Sequence, residues 1–137
     1  RRRACGLVQV RLLLDTHVLL WWLLDDPKLP LRVRERLADI DVDLFLSSAS
    51  AWEIATKFRL GRLPQAESLI GDFAEVLRSQ RIEPLAVTLD HALAAGQLES
   101  SHPDPFDRML AAQAMIERMP LVTNDRALRA MKIETLW

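Results

Sequence analysis

Short runs of apolar residues alternate along the chain with longer segments in which apolar positions recur at helical spacing. Continuous apolar runs of this length are typical of strands buried on both faces. They occur in RLLLDTH, in DLFLSSAS from about Leu44 to Ser47, in IEPLAVT and in PLVTND, and IETLW ends the chain. Pro84 lacks a backbone N–H and places the third of these strands at a sheet edge.

The segments between these runs predict helices. SAWEIATKFRLG, capped by Ser48 or Ser50, is expected to end at Gly61, and DPFDRMLAAQAMIERM is the clearest helix of the chain. QAESLIGDFAEVLRSQ is amphipathic along its whole length, and Gly96 weakens LDHALAAGQLES. The remaining helices are expected in VLLWWLLDDP, LRVRERLADI and DRALRAM.

Alternation of buried strands with helices indicates an α/β fold with a parallel sheet covered on both faces. In such folds ligands gather beyond the carboxyl ends of the strands. The chain has 137 residues and shows no repeat or linker, so we expect a single domain over 1–137.

Composition excludes several classes of protein. The net charge of −1 gives no long-range attraction for nucleic acid, so any such binding needs a local patch. Cys5 is the only cysteine, which excludes an internal disulfide and a cysteine-rich zinc site, and suits a cytoplasmic protein. The start, RRRACGLVQV, lacks the apolar run of a signal peptide, and we expect residues 1–10 to be irregular or non-native. The more apolar stretch from Leu12 to Leu24 is too short to span a bilayer.

Each acidic residue that stands out has an ordinary structural interpretation. Asp104 suits a helix N-cap before Pro105, with Asp107 in the first turn. Asp15 follows the first strand as a turn or cap residue, and Asp125 precedes the last helix, where Thr123 or Asn124 can cap.

Glu53 has two interpretations. It forms either an exposed i, i+4 pair with Lys57 or a carboxylate that points into a cleft from a face of small residues. The opposite face of the helix is expected to face the core, with Trp52, Ala55, Phe58 and Leu60.

The joint placement of these acids favours a function. Asp15 and Asp125 follow strand ends, and Glu53 and Asp107 lie near the starts of helices, so all four share one sheet edge if the first strand neighbours the second and fourth. Carboxylates about 5 Å apart repel by roughly 3 kcal/mol at an effective dielectric near 20. Such a cluster must take up protons, spread apart or bind a cation, and an oxygen-only site favours Mg²⁺ or Mn²⁺.

Four segments, in order, resemble the PIN-domain family, with the closest likeness to toxins of the virulence-associated protein C type from bacterial toxin–antitoxin pairs. The segments are LLLDTHVLLWWL, SSASAWEIATKFRLGRL, HPDPFDRMLAAQA and LVTNDRAL. The resemblance implies a three-layer α/β/α sandwich and a metal-dependent ribonuclease. It identifies Asp15, Glu53 and Asp107 as an acidic triad and Asp125 as a fourth acid, with Asp104 and Thr123 in support.

The same resemblance implies partners: an RNA substrate, a cognate antitoxin and a second copy of the chain. Lys57, Arg59, Arg62 and Arg108 are candidate phosphate contacts. Trp21 and Trp22 are adjacent on a helix and point in different directions, so one is expected in the core and one is a candidate for binding the antitoxin or a second copy. His17, His91 and His102 are scattered and are expected in surface or turn positions.

Two rival interpretations stay open. An aspartate-based phosphoryl-transfer domain matches LLLDTHV in outline, but position 17 is His where a second acid is needed. A non-catalytic binding module, with the acids serving only as caps, predicts no stabilisation by divalent metal.

Overall fold

Five parallel strands form the centre of the computed structural model, which describes residues 9–137. The strands are β1 (Val10–Leu14), β2 (Val42–Ser47), β3 (Ile82–Leu85), β4 (Leu121–Val122) and β5 (Thr135–Leu136). Their order across the sheet is β3-β2-β1-β4-β5, and every neighbouring pair is parallel. β1 therefore lies between β2 and β4, the arrangement that brings the acidic segments together. β3 is an edge strand, as Pro84 predicted.

Helices cover both faces of this sheet. They are α1 (Thr16–Leu23), α2 (Leu31–Ala38), α3 (Ser48–Arg59), α4 (Glu67–Gly71), α5 (Phe73–Ser79), α6 (Leu89–Gln97), α7 (Pro105–Glu117) and α8 (Arg126–Arg129). A short 3-10 turn, Pro64–Ala66, precedes α4. No helix among residues 9–137 is long and apolar enough to cross a membrane.

The side chains of β1 alternate between two hydrophobic cores. Leu12 and Leu14 pack into the larger core with residues of α1, α2 and α3, whereas Leu13 packs into the smaller core with α7 and α8. Successive side chains of a strand point to opposite faces, so a continuous apolar run is what a strand buried on both faces requires. The predicted three-layer α/β/α sandwich is confirmed.

One predicted helix is divided. The amphipathic segment 65–80 forms the 3-10 turn, α4 and α5, and the break falls at Asp72, whose φ of −132° is not helical. Gly71 precedes the break and has a low helix propensity. Leu69 and Leu77 are nevertheless both buried in the larger core, so the break turns the chain while it keeps one apolar face inward.

Helix ends explain most of the remaining differences from expectation. Ser47, rather than Ser48 or Ser50, caps α3 by accepting a hydrogen bond from the Ala49 N–H. The chain leaves α3 through Gly61, whose φ of +74° favours glycine. Gly96 is tolerated, since α6 continues to Gln97. Residues 1–10 were expected to be irregular. Residues 1–8 lie outside the described residues, and β1 begins at Val10.

His91 corrects the expectation of a surface or turn histidine, because it is 1% exposed. Its Nδ1 accepts from the backbone N–H of Thr88, and its Nε2 lies 2.8 Å from Oε2 of Glu117. The ring therefore caps the start of α6 and ties this helix to the end of α7.

Candidate active site

Acidic side chains gather at the carboxyl ends of the central strands. Asp15 immediately follows β1, and Asp125 follows β4 by way of Thr123. Glu53 lies on α3, which begins directly after β2, and Asp107 lies in the first turn of α7. These positions lie on four different segments, so only the fold brings them to one edge.

Asp15 is buried and does not cap a helix. It is 4% exposed, and although it occupies the N-cap position of α1 its side chain makes no capping hydrogen bond. Its Oδ2 instead accepts a hydrogen bond of 2.7 Å from the hydroxyl of Thr123. The capping interpretation of Asp15 is therefore wrong, and its carboxylate is directed toward β4.

Glu53 is also buried, at 3% exposed, and both its oxygens are engaged. Oε1 accepts from the hydroxyl of Thr16 at 2.8 Å, and Oε2 lies 2.6 Å from Nζ of Lys57. The Thr16 hydroxyl is also hydrogen-bonded to that of Ser50 at 2.8 Å. The expected i, i+4 pair with Lys57 exists, but it is not an exposed one, because Glu53 points inward from its small-residue face.

The face of α3 expected in the core is largely outside it. Trp52 is 65% exposed and Leu60 is 50% exposed, whereas Ala49, Ser50 and Ile54 are buried. Small residues beside Glu53 let α3 approach its neighbours closely. That approach buries the carboxylate and leaves the large side chains of the helix near solvent.

Of the two aspartates at the start of α7, Asp104 caps the helix and Asp107 does not. The Oδ1 of Asp104 accepts from the backbone N–H groups of Phe106 and Asp107, at 2.8 and 3.2 Å, with Pro105 at the first helical position. The Oδ2 of Asp107 lies 2.8 Å from Nε2 of His102. Asp104 therefore caps α7, as predicted, and leaves the Asp107 carboxylate available for another task.

Thr123 connects two of the acids. Its hydroxyl donates to Asp15 and accepts a hydrogen bond of 3.0 Å from the backbone N–H of Asp125. Asp125 itself caps α8 by accepting from the N–H groups of Ala127 and Leu128. The expectation that Thr123 or Asn124 caps this helix is wrong, and Thr123 instead holds Asp15 in place.

Electrostatic coupling shows that the four carboxylates share one neighbourhood. The pKa of Asp107 is raised to about 6, chiefly by burial and also by the charges of Asp104, Asp15 and Asp125, while the hydrogen bond from His102 opposes the increase. Burial also raises the pKa of Asp15, opposed by the Thr123 hydrogen bond and by His17, while the charge of Glu53 adds to the increase. Each raised pKa therefore reflects, first, removal of the carboxylate from water and, second, the negative charge of its neighbours.

The donor set suits a hard divalent cation, but its ligands are not fully assembled. Among residues 9–137, no three His, Cys, Asp or Glu side chains are grouped so that they could hold a metal ion as they stand. Lys57 and Thr16 occupy the oxygens of Glu53, and His102 occupies one of Asp107. Carboxylate oxygens are the ligands that Mg²⁺ prefers. These contacts must be exchanged for metal contacts before several of these acids bind one ion.

The four candidate phosphate contacts differ in availability. Lys57 is paired with Glu53, whereas Arg59 and Arg62 are exposed. Arg108 corrects the expectation, because its guanidinium donates to five backbone carbonyls, those of Ala95, Gly96, Leu98, Ser100 and His102. A guanidinium has five N–H donors, so none is left for a phosphate.

Trp21 and Trp22 are both half-buried and pack against the larger core, so neither is the buried core tryptophan that was expected, and they are not both buried in one core, as predicted. Trp21 packs edge-on against Trp137, and the indole N–H of Trp22 donates to Gln80. Both retain partial exposure, and their role in partner binding stays a prediction.

Three residues of the site were missed from the sequence. The Thr16 hydroxyl donates to Glu53 and is hydrogen-bonded to the Ser50 hydroxyl. The His102 ring is hydrogen-bonded to Asp107. Ser50 stands one helical turn before Glu53 and offered a signal, as did the hydroxyl that follows Asp15. The contact of His102 with Asp107 depends on how the α6–α7 loop folds, which no spacing reveals.

A groove of ≈ 750 Å³ lies away from these acids. It runs between α5 and the strands β2 and β3, and its lining includes Leu44, Phe73, Leu77 and Ile82. None of the four candidate acids lines it. Chemistry therefore identifies the candidate site better than cavity size does.

The raised pKa of Asp107 predicts the pH dependence of stability in chelator. A carboxyl whose folded-state pKa exceeds its usual value of 3.8 favours folding when protonated, and this contribution is lost as pH rises through about 6. Asp107→Asn removes that loss and still accepts a hydrogen bond from His102. We expect the variant to exceed the parent in free energy of unfolding by about 1–2 kcal/mol at pH 7.5, with little difference near pH 4. Urea melts in chelator measure this, with the exposed Glu83→Gln as a control. A variant less stable than the parent at pH 7.5 would contradict the electrostatic account.

Comparisons with known proteins agree with this geometry. Ribonuclease VapC22 of Mycobacterium tuberculosis is 29% identical over 119 residues, covering 86% of this chain and 89% of that protein. Ribonuclease VapC16 of the same organism is 39% identical over 78 residues, covering 57% of this chain and 54% of that protein.

Solved structures share the fold. VapBC2 from Rickettsia felis, bound to a DNA fragment from its promoter, superposes with a TM-score of 0.68 at 18% identity, over 93% of this chain and 98% of the other. FitAcB from Neisseria gonorrhoeae gives a TM-score of 0.64 at 21% identity, over 92% and 96% of the two chains.

A family model matches nearly the whole described region. The match runs over residues 12–134 and therefore contains all of the candidate acids and all three layers of the sandwich. Ribonucleases of this family generally depend on a divalent metal ion. On this match, with its acids at the carboxyl ends of the central strands, the chain belongs to the PIN-domain family.

Proposed function

We propose that this protein is a metal-dependent endoribonuclease and acts as the toxin of a toxin–antitoxin pair. The observation that carries the proposal is the convergence of Asp15, Glu53, Asp107 and Asp125, from four segments, at the carboxyl ends of the central strands. Burial, with a smaller contribution from neighbouring acids, raises the pKa of Asp15 and Asp107 there. Relatives named as ribonucleases support the reaction. Neighbours solved as toxin–antitoxin complexes support the biological role.

Asp15, Glu53, Asp107 and Asp125 are the proposed ligands of one or two Mg²⁺ or Mn²⁺ ions. When bound, such an ion supplies a water of lowered pKa and stabilises negative charge on the phosphate. Thr123 keeps Asp15 directed at the site, and His102 orients Asp107. Lys57 compensates the charge of Glu53 in the absence of metal and lies close enough to meet an incoming phosphate.

The proposed substrate is RNA with unpaired nucleotides. Proteins read RNA sequence mainly in single-stranded loops, where bases are accessible. Arg59 is the last residue of α3, and Arg62 follows three residues later. Both are exposed, which suits contacts with phosphates. With a net charge of −1 on the whole chain, such local cations are what an RNA-binding surface must use.

The proposed protein partners are a cognate antitoxin and a second copy of the chain. VapBC2 and a further neighbour, FitAB, are each described bound to a DNA fragment, and another neighbour, from Klebsiella pneumoniae, is a toxin–antitoxin complex. Trp21 and Trp22 are the proposed contact residues, because both leave apolar surface partly exposed. We further propose that residues 1–137 form one domain.

A cleavage assay tests the reaction. Defined transfer and ribosomal RNAs are incubated with the purified chain in Mg²⁺, in Mn²⁺ and in chelator, and the products are resolved by length. Internal cleavage in metal and none in chelator is the expected result. Cleavage that is equally fast in chelator would overturn the metal-dependent mechanism.

Metal binding is expected to stabilise the fold. At a Mg²⁺ or Mn²⁺ concentration ten times the dissociation constant, the free energy of unfolding rises by about 1.4 kcal/mol, or roughly 5 °C in melting temperature. Thermal melts with increasing metal measure the shift. The same titration on Asp107→Asn is the matched control, because losing one ligand weakens the response. No shift in the parent would favour a non-catalytic binding module.

A further inference from the structure

An exposed aromatic pair borders the acidic site. Trp52 is 65% exposed, the largest apolar side chain of α3, and its ring meets that of Phe106 edge-on, with centroids 5.0 Å apart and planes at 75°. Each ring immediately precedes one of the acids in sequence, Trp52 before Glu53 and Phe106 before Asp107. The pair therefore bridges α3 and α7 at the rim of the cluster.

The pair is held in a fixed orientation. The backbone N–H of Phe106 donates to Asp104, so the start of α7 is rigidly capped. Ser47 caps α3 in the same way. An edge-to-face contact between rings is a favoured geometry that restrains both side chains. The contact with Phe106 therefore limits the rotation of Trp52, while most of its indole remains accessible to a ligand.

The exposed face of α3 continues from this ring to a cation. Trp52, Ala55 and Arg59 stand at i, i+3 and i+7, which places them on one side of the helix, and all three are exposed. The rise of an α-helix puts Arg59 about 10 Å along the axis from Trp52. An apolar partner helix needs apolar residues at i+3 and i+7. A small residue and an arginine suit a nucleotide chain better.

We propose that Trp52, supported by Phe106, is a stacking platform for one unpaired RNA base beside the phosphate being cut, and that Arg59 contacts a phosphate further along the strand. The inference rests on the proposed ribonuclease activity and names the feature of the substrate that this site recognises. Base stacking on aromatic side chains tolerates different bases, because every base has a π-face. Trp52 is a substrate-positioning residue with no part in proton transfer.

The test compares Trp52→Leu, Trp52→Phe and the parent on a 12-nucleotide single-stranded RNA of mixed sequence. Loss of one stacking contact is expected to raise KM about tenfold in Trp52→Leu, with kcat changed less than about twofold. Trp52→Phe is expected to recover most of the affinity. Leu31→Ala, which removes another exposed apolar side chain (70% exposed), is the matched control and should behave as the parent.

A binding measurement in chelator separates stacking from catalysis. The RNA should quench the tryptophan emission of the parent, and an abasic oligomer of the same length should not. The quenched component should disappear in Trp52→Phe, a conservative variant that is expected to fold. The affinity for the abasic oligomer should be the same in the parent and in Trp52→Leu.

The outcomes are distinguishable. If the parent cleaves RNA and Trp52→Leu binds and cleaves it equally well, the platform is wrong and the ribonuclease stands. If the parent neither binds nor cleaves RNA, both proposals fail. If Trp52→Leu changes the oligomeric state while RNA binding is unchanged, this face contacts protein and the platform is overturned.

Discussion

Glu53→Gln and Asp107→Asn are each expected to slow RNA cleavage by at least about 100-fold at saturating Mg²⁺. Both substitutions keep the size of the side chain and remove one negative charge from the cluster. The proposed mechanism needs that charge to hold the cation. Glu53→Gln would also leave the ammonium of Lys57, now 2.6 Å from the carboxylate, without its counter-charge. Single-turnover cleavage of a defined RNA, measured over a range of Mg²⁺ concentrations, gives the rate.

Asp104→Asn is the matched control for this prediction. Asparagine caps helices as well as aspartate does, so α7 should keep its start while a nearby charge is lost. We expect this control to retain cleavage within a few-fold of the parent. Rates in Glu53→Gln and Asp107→Asn that equal the parental rate in Mg²⁺ would disprove the mechanism.

Activity and stability should change in opposite directions at Asp107. The same substitution that abolishes cleavage is expected to stabilise the protein in chelator above pH 6, because it removes a carboxylate that burial and neighbouring acids disfavour. Sites that concentrate like charge for catalysis commonly reduce stability in this way. A variant that loses activity through misfolding would instead lose both.

The placement of the acids was predictable from the sequence because it depends on few facts. Continuous apolar runs identify the strands, and residues that follow them lie at one sheet edge if the strands are parallel. The condition that β1 neighbours β2 and β4 is met. The capping role of Asp104 could be predicted from local spacing alone, because the backbone N–H groups that donate to it lie within three residues of it.

Side-chain contacts between distant segments were not predictable in this way. The face of α3 that points inward is determined by what fits against α1 and α7, and there the small residues around Glu53 outweighed the hydrophobicity of Trp52 and Leu60. The link from Asp15 to Thr123 joins residues 108 positions apart. Arginine beside an acid suggested a phosphate contact, yet carbonyls at the end of α6 and in the α6–α7 loop accept from every donor of the guanidinium.

Arg108→Lys is expected to lower the free energy of unfolding by about 2–4 kcal/mol, roughly 10 °C in melting temperature. A lysine ammonium has three donors in a compact head and cannot reach the carbonyls that the guanidinium fork now joins. Carbonyls of the segment between α6 and α7 are then left without a partner. That segment contains His102 and ends at Asp104, so Asp107 loses its orientation, and we expect kcat to fall about tenfold well below the melting temperature.

Salt dependence distinguishes this structural role from a phosphate contact. If Arg108 neutralised a phosphate, lysine would preserve the charge, stability would be unchanged, and only RNA affinity would weaken. The exposed Arg62→Gln is the matched comparison, since loss of a true phosphate contact should reduce the slope of log affinity against log salt concentration by about 0.7 for single-stranded RNA. We expect Arg108→Gln, which removes the charge as Arg62→Gln does, to leave that slope unchanged while it lowers the melting temperature. A reduced slope with an unchanged melting temperature would instead indicate that Arg108 contacts an RNA phosphate. The conformation of the α6–α7 loop would then not depend on Arg108.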